Sequence, residues 1–127
     1  MRSFRPVSLL ALPIAGLLLA GCAAPAEEEA DAAFTLYSGR DEDLVQPLID
    51  AFTEETGIEV EVRYGNTPEM AALLLEEGDA SPADVFLSQD AGALGAIADE
   101  GLFTTLPEEI TGAVVPEFSS TDGSWVG

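Results

Sequence analysis

The stretch FTLYSGRDEDLVQPLIDAFTEETGIEVEVRY, residues 34–64, decides the fold. Phe34-Thr35-Leu36-Tyr37 has the aromatic and β-branched content of a short strand, and Ser38-Gly39 closes it with a glycine free to take a tight turn. Leu44, Val45, Leu48, Ile49 and Phe52 then share one stripe of 3.6-residue period, which predicts a helix. Asp43 with Gln46 three residues on resembles a capping box, and Gly57 stands where a left-handed residue stops a helix. Pro47 fits this helix only if it lies in the first turn, because proline has no N–H to donate. Ile58, Val60 and Val62 alternate with Glu59, Glu61 and Arg63, the period of a strand with one buried face.

Outward from this unit the pattern repeats. Thr67-Pro68 reads as an N-cap with proline at the first helical position, Met70, Leu73 and Leu74 supply an apolar side, and Gly78 ends the helix. Asp84-Val85-Phe86-Leu87 is a third strand. Ser88 would cap a helix running through Ala98 that Gly101 terminates. The order β-α-β-α-β-α with right-handed crossovers predicts an α/β fold with a largely parallel sheet, its post-strand loops gathered at one edge. Beyond Gly101, Pro107, Gly112 and Pro116 break the apolar runs, so short helices or coil are expected. Asp122-Gly123-Ser124 signals a turn, and Trp125-Val126-Gly127 reads as the onset of a further element, as in a truncated frame or a fragment.

The chain of 127 residues carries 24 acids against 4 arginines, no lysine and no histidine, for a net charge of −20. Such a balance excludes binding of nucleic acid through its phosphates. With no histidine and a single cysteine, His/Cys zinc sites, Ser-His-Asp and Cys-His pairs and an internal disulfide are excluded too, so any bound metal must take oxygen ligands. Residues 1–21 read as an address. Arg2 and Arg5 form a basic start, Val7 to Ala20 is apolar but too short to span a bilayer, and Leu19-Ala20-Gly21-Cys22 resembles a bacterial lipoprotein signal. Cys22 is then the lipid attachment point, although a buried helix with Cys22 as a core thiol is the plain alternative. Residues 22–33, rich in alanine with Glu27-Glu28-Glu29 and Asp31, read as an acidic low-complexity tether. Residues 34–127 form the exported domain, held at the outer face of the membrane by acyl chains rather than by charge.

In open α/β sheets, ligands bind beyond the carboxyl ends of the strands, where helix N-termini present unpaired N–H groups. The candidate loops are Ser38, Gly39, Arg40, Asp41, Glu42 and Asp43 after the first strand, Tyr64 to Thr67 after the second, and Ser88, Gln89 and Asp90 after the third. Arg40 is one of two cations in the exported domain. It can grip an anion or carboxylate through its planar fork, or pair locally with Asp41, Glu42 or Asp43. Asp41 and Glu42 can ligate a hard cation or simply serve the helix N-terminus. Tyr37 and Tyr64 can reach a metal, a sugar ring or only the rim of the core. The remaining acids read as solvated surface, and no catalytic constellation emerges.

Four ordered strings carry a resemblance: Leu36-Tyr37-Ser38-Gly39-Arg40; Glu54-Glu55-Thr56-Gly57-Ile58-Glu59-Val60; Glu77-Gly78 with Ser81-Pro82-Ala83-Asp84-Val85-Phe86; and Asp122-Gly123-Ser124-Trp125-Val126-Gly127. Together they resemble the ferric-iron substrate-binding proteins of bacterial ABC transporters. The resemblance implies the first lobe of a two-lobed, type II-like periplasmic-binding-protein fold, most of the second lobe lying beyond Gly127. It implies a binding protein, not an enzyme, working as a monomer that delivers Fe³⁺ to an ABC permease with a synergistic anion such as carbonate. In the family a histidine often stands at the position matching Asp41, some members have a tyrosine at that of Glu42 and others a glutamate ligand at that of Gln89; this sequence departs at all three, and Asp41, Glu42 and the neutral, poorer donor Gln89 become the implied metal donors. Ser38, Gly39, Arg40 and Asp90 become the implied anion-binding set. The family's main ligands, two adjacent tyrosines of the second lobe, match no residue here. Alternatives from the residues themselves are the same fold holding an anionic or other organic solute, and a surface lipoprotein that binds no small ligand.

Overall fold

The computed structural model describes residues 33–127. The lipoprotein signal, Cys22 and the tether as far as residue 32 lie outside the described residues. The strands are β1 (Ala33–Ser38), β2 (Glu59–Tyr64) and β3 (Val85–Leu87), and the helices are α1 (Glu42–Thr56), α2 (Thr67–Glu77), α3 (Ala91–Asp99) and the single turn α4 (Glu108–Thr111). The β-α-β-α-β-α order expected from sequence is present, and β1 begins one residue earlier than expected, with Ala33 paired to Glu59.

The sheet has the order β2-β1-β3 and both pairings are parallel. Successive side chains of β1 point to opposite faces, so its two apolar sets need cover on both sides. On one face Phe34 meets Phe52 of α1 edge-on, with ring centroids 5.9 Å apart. On the other, Tyr37 joins Met70, Ala71 and Leu74 of α2 and Ile97 of α3 in the main core, with Phe86, Leu102 and Phe103 packed against it. The buried Tyr37 hydroxyl donates to both oxygens of Glu77, at 3.1 and 3.0 Å, so the phenol is a satisfied core group. Arg63, in register with Tyr37, stands over its ring at 5.6 Å and lies 4.0 Å from Glu77.

Several local expectations are corrected. Pro47 is the sixth residue of α1, not a first-turn residue. Its missing N–H leaves the Asp43 carbonyl without a helical donor, which is tolerated because both residues are exposed to water. The Asp43/Gln46 box does not form. Asp41 is the N-cap residue, without a side-chain cap bond, and Gln46 instead donates to Asp50 at 2.8 Å. Of the α1 stripe only Val45 is buried, whereas Leu44 and Leu48 are 57% and 69% exposed. The α2 cap is Asn66, which accepts from the Glu69 N–H at 2.9 Å, one residue before the expected Thr67. The α3 cap is Asp90, which accepts from the Ala93 N–H at 2.9 Å, not Ser88. In each case the longer amide or carboxylate reaches the third N–H of the helix from an extended backbone.

Gly57 closes α1 at φ 73° and donates to the Thr53 carbonyl at 2.8 Å. After Gly101 come only α4, a 3-10 turn at Pro116–Phe118 and an antiparallel bridge between Ser119 and Val126, as the broken apolar runs lead one to expect. Among the described residues no helix is long and apolar enough to cross a membrane.

Restoring the missing donor should strengthen α1. Pro47→Ala is expected to raise the urea midpoint, with a gain of about 1–2 kcal/mol, since proline in a helix interior costs about 3 kcal/mol and its loss frees some unfolded-state entropy. An unchanged or lowered midpoint would show that the helix is already adapted to the gap.

Candidate functional site

Because β1, β2 and β3 run parallel, their carboxyl ends lie on one side, and the three following loops meet there. Ser38, fully buried, ends β1 and folds its loop: its Oγ donates to the Arg40 carbonyl at 3.0 Å and accepts from the Arg40 N–H at 3.2 Å. Ser88 repeats the device after β3, donating to the Asp90 carbonyl at 2.7 Å and accepting the Asp90 N–H at 3.1 Å. Small hydroxyl side chains do this by standing in for a backbone turn.

Gly39 is the point of contact between loops. Its N–H donates to the Leu87 carbonyl at 2.8 Å, and its own carbonyl accepts from Thr67 Oγ1 at 3.2 Å and Gln89 Nε2 at 2.6 Å. The Gln89 N–H donates to Thr67 Oγ1 at 3.1 Å, so the three loops close a ring. A Cβ at position 39 would stand 2.8 Å from the Thr67 Cα and 3.1 Å from the Leu87 carbonyl oxygen, so this approach requires glycine. The sequence places Gly39, Thr67 and Gln89 in the three candidate loops but gives Thr67 no role beyond a cap. Its position in the loop after β2, opposite Gly39, was the signal available.

The other rim residues divide. Arg40 is exposed, and among the described residues the only ion pair within 4 Å joins Arg63 to Glu77. The local pairing of Arg40 with Asp41, Glu42 or Asp43 is therefore not formed. Asp41 and Glu42 are exposed at the start of α1, and Asp90 is engaged as the α3 cap. Among the described residues no three carboxylate, cysteine or histidine side chains group as a metal site. Tyr64 donates to Gln46 Oε1 at 2.8 Å, tying β2 to α1. Burial, and then the negative charges of Glu42 and Asp50, hold its phenol above the usual tyrosine range, which favours the neutral form over a tyrosinate ligand.

Beside the third loop, a cavity of about 690 Å³ is lined by Val85, Leu87 and Gln89 together with Phe103, Leu106 and Trp125. The turn that carries Trp125 is set by Asp122, whose Oδ1 accepts from the Ser124 N–H at 3.1 Å and the Ser124 hydroxyl at 2.8 Å. Hydrogen bonds from Ser120 and Ser124 hold the Asp122 carboxyl below its ordinary range.

Residues 38–127 match the family described as bacterial extracellular solute-binding protein. The chain belongs to that family. Within it, the "Fe(3+)-binding periplasmic protein" of Serratia marcescens is 37% identical over 98% of this chain and 36% of its own length. The "Major ferric iron-binding protein" of Neisseria gonorrhoeae is 36% identical over 85% of this chain and 33% of its own length. Among solved structures, iron-bound HitA from Pseudomonas aeruginosa superposes with a TM-score of 0.73 at 34% identity, over 76% of this chain and 31% of that one. Trichodesmium IdiA (FutA), in complex with iron and citrate ligands, gives 0.69 at 32% identity, again over 76% and 31%. The chain thus spans about a third of the length of these relatives, and its described residues form an N-terminal α/β piece of the periplasmic-binding-protein fold expected from sequence.

Two substitutions probe the site. Gly39→Ala is expected to destabilise the lobe by about 1–3 kcal/mol in urea unfolding, because backbone, not a flexible side-chain end, stands in the way. Asp122→Asn should cost stability at neutral pH and cease to matter in acid. The folded state holds Asp122 ionised below the unfolded pKa of about 3.9, so its contribution is complete above that pH and is lost as pH falls through the lower folded value. Thermal melts of the parent should therefore lose stability relative to the variant below about pH 4. Parallel curves would exclude this role for the turn.

Proposed function

We propose that this lobe belongs to an extracytoplasmic binding protein that delivers ferric iron, together with a synergistic anion, to an ABC permease. The observation that carries the reading is Arg40: an arginine with no carboxylate partner within 4 Å among the described residues, at the strand-end rim of a lobe whose relatives are named for ferric iron. In a domain this acidic, a guanidinium left without a partner beside Asp41 and Glu42 is suited to an anion that bridges it to a cation. Asp41 and Glu42 supply hard oxygens for Fe³⁺, and Arg40, with Ser38, Gly39 and Asp90 shaping its loop and the neighbouring one, receives carbonate or a comparable anion. The half-coordination offered by one lobe is completed by the rest of a clamp, and closure of that clamp is the signal to the permease. The protein acts as a monomer and performs no catalysis.

Attachment follows from the first residues. Cys22 receives the lipid after cleavage of residues 1–21, and residues 22–33 tether the lobe outside the membrane. Cys22→Ser is expected to move the protein from the membrane fraction to the soluble exported fraction and to abolish labelling by a palmitate analogue. Retention in the membrane with labelling lost would mean a different anchor.

In a protein of the relatives' length that carries this lobe, ferric citrate should raise a visible ligand-to-metal charge-transfer band, and Arg40→Ala should weaken iron retention only when the anion is present. Equal loss with and without the anion would make Arg40 structural. The second reading, an organic solute bearing a carboxylate, is favoured by the same guanidinium, and by the neutral Gln89 where some members of the family have a glutamate ligand. Heat on adding such a solute, with no band from iron, would replace the ferric reading.

A further inference from the structure

The Gly39–Arg40 peptide is held at both ends. Its carbonyl accepts from Gln89 Nε2 and Thr67 Oγ1, and its N–H donates to Ser38 Oγ. The three residues that fix it come from the end of β1, the start of α2 and the loop after β3, and Thr67 is buried while Ser38 is fully so. A peptide plane fixed on both sides sets the direction in which the next side chain leaves the backbone, and the next side chain is Arg40.

From this we infer that Gln89 and Thr67 are positioning residues for Arg40: they clasp the Gly39 carbonyl and preset the loop that presents the guanidinium, so that a ligand anion has the side chain of Arg40 to order but not its backbone. Gln89 acts here as a donor and not through its own oxygen. Its amide N–H lies 2.6 Å from the carbonyl, a contact that an ionised carboxylate of the same size would turn from attraction into repulsion. Thr67 serves twice, as donor to Gly39 and as acceptor from the Gln89 N–H, so it aligns the two loops with one another.

The role of the clasp in ligand capture rests on the proposed function of Arg40, but the clasp itself can be tested without any ligand. In the full chain, Gln89→Glu removes the amide donor and Thr67→Val removes the hydroxyl as both donor and acceptor, each at nearly constant volume, and Thr67→Ser keeps the hydroxyl. Amide exchange of Arg40 is expected to accelerate about tenfold in the first two, the worth of one hydrogen bond, and to stay near the parent in Thr67→Ser. The Gly39 carbonyl ¹³C shift should move in the same two variants only. A parent-like shift and exchange rate in Gln89→Glu overturns the inference, and so does equal disturbance by Thr67→Ser, which would reduce Thr67 to a packing residue. Affinity for citrate, measured beside these, separates the two claims: loosened exchange with citrate binding unaffected keeps the clasp and removes Arg40 from anion capture.

Discussion

Everything in this lobe is arranged around β1 being paired on both edges in parallel. A central parallel strand must be covered on both faces, which sends α1 to one side and α2 with α3 to the other, and it forces every strand to end on the same side. The rim is a consequence of that direction, not of any attraction between its residues. Once the loops arrive together, Gly39 lets them approach to backbone contact, and a side chain at that position would push the first loop off the second.

Much of this was legible in the residues. The alternation from Ile58 to Arg63, the glycine stops at Gly57 and Gly101, and the repeated strand-turn-helix order specify elements whose local preference and tertiary role agree. The misreadings have separate physical causes. Capping is decided by which side chain reaches an exposed N–H from an extended backbone, and Asn66 and Asp90 win over their neighbours by geometry that one-dimensional spacing does not carry. Pro47 was read through its usual cost, but an exposed carbonyl beneath it has water to bond. The apolar period of α1 was correct as a period, yet Leu44 and Leu48 stay exposed because β1 and β2 offer cover for only part of the stripe.

The candidate site was legible by position and illegible by contact. Topology alone gathers Ser38, Arg40, Asp41 and Gln89 at one end. Whether Arg40 is consumed by a neighbouring acid, whether Asp90 is free or capping, and whether Gln89 donates or ligates depend on side-chain directions that only coordinates supply. Tyr37 illustrates the reverse case. A tyrosine at a strand end can serve a ligand, but here the phenol is buried and its hydroxyl satisfied by Glu77, so it belongs to the interior.

The single described ion pair, Arg63 with Glu77, leaves an acidic surface almost without internal counter-charge. Dissolved cations must therefore do the neutralising that lysines do elsewhere, and the lobe is built to sit in an ion atmosphere. In dilute buffer, where the Debye length reaches about 30 Å at 0.01 M, its carboxylates repel one another across the lobe, and added salt shortens that reach and relieves a self-repulsion that works against the compact state.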